Sequence, residues 1–146
     1  MTTHRRDFRI NRPGALIAAL PAVLGFVPEK SLVLVALERG QLGAVMRADL
    51  SDGLIDNLGH LAELAAASGA DTFVAVVVDE AGALCPICND DHRRLCGALA
   101  EALAGHDMDL AACHVVDRVA AGGSWHCVDG CDSKGTVEDP TASPLA

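Results

Sequence analysis

The apolar positions of the chain fall into short blocks whose spacing changes from one block to the next. Leu16, Leu20 and Leu24 repeat every four residues behind Pro13, which suits the first position of a helix, and Gly25 supplies a stop. Pro21 should kink that helix or end it early. Ser31 to Glu38 (SLVLVALE) is an apolar run of strand length, Arg39-Gly40 turns the chain, and Gln41 to Leu50 is the expected hairpin partner. Leu54, Leu58, Leu61, Leu64 and Ala65 mark an amphipathic helix ending near Gly69. Thr72 to Val78 (TFVAVVV) carries the clearest strand pattern. After a turn through Glu80-Ala81-Gly82, a helix with a stripe of Leu95, Leu99 and Leu103 is expected, capped by Asn89 with Asp90 and Asp91 near its positive end. Ala111 to Val119 reads as a further strand, Gly122-Gly123 breaks it, and Ser124 to Val128 as a short returning one.

Alternation of strand and helix predicts an α/β fold, a single-domain sandwich with a mixed, mostly buried sheet and helices packed on it. At 146 residues the chain holds one well-formed core and not two. No internal repeat or interdomain linker interrupts it. The expected organisation is a basic N-terminal arm or edge strand over residues 1–12, the α/β domain over 13–131 and a polar, Pro-rich C-terminal tail over 132–146. Ala, Leu and Val dominate the apolar residues and Tyr is absent, so small aliphatic side chains must fill the core.

Charge narrows the range of partners. The net charge is −9, yet Arg5, Arg6, Arg9 and Arg12 face only Asp7 in the first twelve residues, so the rest of the chain is strongly acidic. Such a surface repels phosphate backbones and argues against nucleic-acid binding except through the basic arm, whose plainer reading is a solvated edge strand. The apolar stretch from Ala15 to Val27 is broken by Pro21 and Gly25, short of the roughly twenty residues a membrane span needs. No small-x-small cleavage site follows it, so it reads as folded core and not as a signal peptide. A cytoplasmic location is expected, and there six cysteines read as thiols or metal ligands before they read as disulfides.

Cysteine spacing is the main chemical signal. Cys85 and Cys88 form a C-x-x-C directly before a helix, spacing that turns two sulfurs toward one ion. Cys127 and Cys131 flank a turn at Gly130. The preferred zinc site joins Cys85, Cys88, Cys127 and Cys131 from two turns; a local set would take His92 and Cys96 as substitutes, at the cost of a cramped cage. Each residue also has a plainer reading. Cys96 lies on the apolar stripe and reads more simply as a small buried hydrophobe, and Cys113 alternates within a strand as core. His60, His106, His114 and His126 read as isolated.

The same pair supports a second chemistry. A C-P-x-C between a strand and a helix start is where thioredoxin-like proteins place exchanging thiols, because the helix terminus lowers a thiol pKa. The motif here follows half the domain, whereas thioredoxin-like chains carry it after their first strand. There is no Gly-rich phosphate loop, G-x-S-x-G, H-E-x-x-H or dinucleotide fingerprint.

Two stretches carry a resemblance. Pro13-Gly14 through Leu20-Pro21, Leu24-Gly25-Phe26, Pro28 and Ser31-Leu32-Val33 at the front, with Trp125, Gly135-Thr136 and Ser143-Pro144-Leu145-Ala146 at the back, resemble an actinobacterial family of unknown function. Related chains carry paired cysteines shortly after the Trp, which agrees with Cys127 and Cys131. The chain also resembles the mycobacterial factor that recruits a ribosome hibernation protein when zinc is scarce. That resemblance implies a non-enzymatic, zinc-binding regulatory adaptor, with a ribosome hibernation factor or the ribosome itself as partner. Three readings therefore stand from sequence: this zinc-responsive adaptor, a thiol oxidoreductase or redox sensor using Cys85 and Cys88, and a domain with a permanent structural zinc.

Overall fold

The computed structural model describes residues 13–38, 41–51, 53–83, 85–128 and 134–137. It is a mixed α/β single domain. Helix α1 (Pro13–Leu24) precedes a hairpin of β1 (Ser31–Glu38) and β2 (Gln41–Asp49); a short 3-10 turn (Ile55–Asn57) leads into α2 (Leu58–Ala67), then β3 (Thr72–Val78), α3 (Pro86–Ala104), β4 (Asp109–Val116), β5 (Ser124–Cys127) and β6 (Lys134–Thr136). The six strands lie in the order β2-β1-β3-β4-β5-β6. Only β3 and β4 run parallel, joined by α3, and the other neighbours are antiparallel.

Strand alternation divides the core into two layers. Leu32, Leu34 and Ala36 of β1, Phe73, Ala75 and Val77 of β3, and Cys113 and Val115 of β4 face Leu58, Leu61 and Ala65 of α2 and Leu95, Leu99 and Leu103 of α3. The intervening residues Val33, Val35, Val74, Val76, Val78 and Val116 face Leu16, Ile17 and Leu20 of α1. With both faces covered, β1 and β3 are buried almost throughout, which explains their continuous apolar runs.

Several expectations shift. Pro21 stays inside α1, which runs on to Leu24; the Gly25 N–H closes the last turn on the Pro21 carbonyl at 2.8 Å, and Gly25 turns away with φ +85°. The stripe of α2 begins through the 3-10 turn, and Leu64 lies outside it, half exposed. Helix α3 begins at Pro86, so its cap is Cys85 and not Asn89, and Asp90 and Asp91 pair instead with Arg93 and Arg94 one turn on. The fourth strand is Asp109–Val116, earlier than the expected Ala111 to Val119. The segment assigned to the tail contributes β6, whose Gly135 pairs with Trp125. That strand is held close to α1: a Cβ on Gly14 would stand 2.5 Å from the Thr136 carbonyl oxygen, and one on Gly135 3.1 Å from the Trp125 indole. Residues 1–12 and Cys131 lie outside the described residues.

Candidate functional site

The chain leaves β3 at Val78 and makes a tight loop before α3. Asp79 organises that loop. Its backbone N–H donates to the Val116 carbonyl at 3.0 Å, its carbonyl accepts from the Ala83 N–H at 2.9 Å, and its Oδ1 accepts from the Gly82 N–H at 3.1 Å. Cys85 follows in an extended conformation and caps the helix, with Pro86 at the first helical position, where its missing N–H costs nothing. The Cys85 Sγ takes the place of the usual capping oxygen and accepts from the Cys88 N–H at 3.4 Å.

This geometry makes the two thiols unequal. Hydrogen bonding by Cys88, first from its backbone N–H and then from its thiol, lowers the Cys85 pKa, helped by the Ile87 N–H and opposed by burial and Asp79. The Cys88 pKa is raised, first by the hydrogen bond of its thiol to Cys85, then by burial and the charges of Cys85, Asp79 and Asp91. The pair therefore loses its first proton at Cys85, with the Cys88 thiol as hydrogen-bond donor to it. Both cysteines are free and half-buried, so a reagent can reach them.

One helical turn beyond Cys88, His92 is buried with both ring nitrogens engaged. Nδ1 lies 2.9 Å from Asn89 Oδ1 and Nε2 lies 3.0 Å from Asp79 Oδ2. A cleft of about 420 Å³ opens beside this group, with Leu50, Leu54 and Ile55 on one wall and Asp79, Cys88 and His92 on the other. Asp79 carried no motif in the sequence, and Asn89 read there only as a helix cap. The available signal was Asp79 at the carboxyl end of a buried parallel strand, where polar side chains of α/β folds tend to converge.

The expected zinc ligands fall in different places. Cys85 and Cys88 are together. Cys127 pairs in register with His114 and, two residues from Trp125, shares the α1 face of the sheet, whereas Cys85 and Cys88 begin the helix on the opposite face. Cys127 is itself disulfide-bonded. Of the substitutes, His92 binds Asp79 and Asn89, and Cys96 forms a disulfide with Cys113, their Cα atoms 6.6 Å apart. That bond corrects the expectation of free or metal-bound thiols for Cys96 and Cys113: α3 packs on β4 and brings both sulfurs into the same layer. Among the described residues no group of three or more His, Cys, Asp or Glu side chains is placed to hold a metal ion. Also among them, no helix is long and apolar enough to cross a membrane.

The sequence pattern of the family DUF4192, a domain of unknown function, matches residues 13–146. The chain belongs to the DUF4192 family. No curated protein and no solved structure matches this DUF4192 chain. The front and back stretches that carried the resemblance meet in space, since Gly14, Trp125, Gly135 and Thr136 form one contact.

His126 of β5 supplies a pH dependence. Burial, followed by the nearby charges of His92 and Arg93, lowers its pKa below that of a free imidazole. The folded chain thus binds fewer protons there than the unfolded chain, so stability rises with pH through the imidazole range and is lost as pH falls below about 6.5. Urea melts between pH 5 and 8 should show that slope, and His126→Gln should flatten it; an unchanged slope would remove His126 as its source.

Proposed function

We propose that this DUF4192 domain is a thiol–disulfide redox module, with Cys85 as the attacking thiol and Cys88 as the resolving one. The observation that supports it is the asymmetry of the pair: the Cys85 sulfur caps a 19-residue helix and accepts the Cys88 N–H, while Cys88 donates to it. A thiolate is the reactive species in exchange, and a helix N-terminus with a hydrogen-bonded neighbour favours it. Resolution by Cys88 then requires only rotation of a side chain already beside Cys85. The module exchanges with disulfide substrates or reports on them.

The zinc-responsive adaptor, acting on a ribosome hibernation factor, draws its support from resemblance and from the free Cys85 and Cys88. It needs two further ligands beyond that pair.

Alkylation tests the redox reading. Reduced protein is treated with iodoacetamide across pH, and each cysteine is followed by peptide mass spectrometry. Cys85 should titrate below the ordinary thiol value of about 8.5 and Cys88 above it, and equilibration with oxidised and reduced dithiothreitol should give a Cys85–Cys88 disulfide. Ordinary reactivity at both positions, with no such disulfide, would sink the reading. One chelator-resistant zinc per chain, lost on Cys85→Ser, would put the adaptor in its place.

A further inference from the structure

We propose that Asp79 takes the proton of Cys88 during the resolving step, and that His92 and Asn89 hold the Asp79 carboxylate in place for it. This rests on the redox reading of Cys85 and Cys88 and assigns a role to a partly buried polar group that packing alone does not require.

Hydrogen bonding fixes the protons of the group. Asn89 Nδ2 donates to the Ala83 carbonyl at 2.9 Å, so its Oδ1 must face His92 and accept from Nδ1–H. The remaining link, Nε2 to Asp79 Oδ2 at 3.0 Å, needs one proton, since an imidazole lone pair facing a bare carboxylate would repel it, and the step proposed here starts from the form in which Nε2 carries that proton and Asp79 is the carboxylate. Asp79 is thereby tied on one side by His92 and on the other by the Gly82 N–H. Gly82 also permits the approach to Cys88. A Cβ there would collide with Asp79 Oδ2 and stand 3.1 Å from Cys88 Cβ, so only glycine lets the carboxylate and the cysteine share that space. Both line the same cleft, which connects them to solvent.

The step balances as follows. Attack of the Cys85 thiolate on a substrate disulfide releases one thiolate and leaves a mixed disulfide at Cys85 Sγ. The Cys88 S–H passes its proton to the Asp79 carboxylate. Cys88 Sγ then attacks Cys85 Sγ, the Cys85–Cys88 bond forms, and the bond to the substrate sulfur breaks. The departing thiolate takes up a proton through the cleft. Two electrons leave the dithiol and reduce the substrate disulfide. The charged and titratable groups around Cys88 are Cys85, Asp79, Asp91, His92 and Arg94; His126 of β5 lies near His92 and its α3 neighbour Arg93, and residues 50–55 add only Ser51 and apolar side chains to the cleft wall among the described residues.

Stopped-flow release of a chromogenic aryl thiol tests the proposal, with chelator present throughout. Reduced protein reacts with the aryl disulfide, the first equivalent reports Cys85 attack, and the second reports resolution by Cys88. In Asp79→Asn the first phase should persist. The second should slow about a hundred-fold near neutral pH and recover toward the parent rate at high pH, where Cys88 ionises unaided. His92→Gln should shift the same profile by a smaller amount and serves if Asp79→Asn does not fold. A second phase unchanged in both, or slowed equally at every pH, would overturn the proposal and leave the redox reading standing. Absence of the first phase in the parent protein would instead remove the redox reading.

Discussion

Replacing Cys85 by serine is expected to lower the rate of reaction with a small disulfide by at least about a thousand-fold, because a serine hydroxyl is not ionised at neutral pH and does not exchange with sulfur. Cys88→Ser should behave oppositely. The backbone N–H at position 88 is kept, and a hydroxyl there can still donate to the Cys85 sulfur, so the two hydrogen bonds that favour the thiolate survive. Attack then proceeds and stops, and the protein accumulates as a mixed disulfide that intact mass spectrometry detects with oxidised glutathione as substrate. The double variant should be inert. If Cys85→Ser retained exchange while Cys88→Ser lost it, the assigned order of attack would be reversed. If both single variants reacted like the parent, the reactive thiols would lie elsewhere.

The site was legible in part because its parts differ in how local they are. C-P-I-C before a helix is a contiguous signal, and its strand-loop-helix setting follows from flanking periodicity. The cap was harder to place. Asn89 is a better capping residue than cysteine by ordinary preference, but Pro86 starts the helix at its first position, and the Cys85 sulfur can then close on the Cys88 N–H. Asp79 and His92 were not paired from sequence, since they are thirteen residues apart on different elements and meet only because α3 folds back beside the end of β3. Cys127 shows the complementary limit. Spacing places it in a turn-rich segment, but which face it takes depends on the register of β5 against β4, and a one-residue slip would have turned it toward α3. Cys96 and Cys113 each read correctly as buried, while their bond depends on how α3 lies over β4. The main strands were legible because burial on both faces writes continuous apolar runs, and α3 because burial of one face writes a Leu stripe at helical spacing. The three residues Lys-Gly-Thr of β6 carry no such pattern, and only their pairing with Ser124, Trp125 and His126 of β5 makes them a strand.

The packing that positions this site has its own large prediction at Phe73. The ring is fully buried in the layer between the sheet and α2 and α3, with Ala36 of β1 and Leu110 of β4 as its strand neighbours. Those neighbours and the surrounding Leu and Ala side chains come from four elements, so the layer cannot collapse into the void that Phe73→Ala would leave. The expected loss is about 3–5 kcal/mol, which combines lost transfer free energy with the cavity. A domain of this size has roughly 5–15 kcal/mol in all, so the midpoint of thermal unfolding should fall by about 10 °C or more. Thr72 is the control, because it lies at the start of the same strand, is only partly buried and bonds its hydroxyl to the exposed Asp71. Thr72→Ala should change stability by no more than about 0.5 kcal/mol. Equal losses in the two variants by urea titration would mean that β3 does not present alternate residues to two packed layers. Phe73 is also at the far end of β3 from Asp79, so the folded fraction of Phe73→Ala should keep the parent's Cys85 alkylation profile, separating the stability of the sheet from the chemistry at its edge.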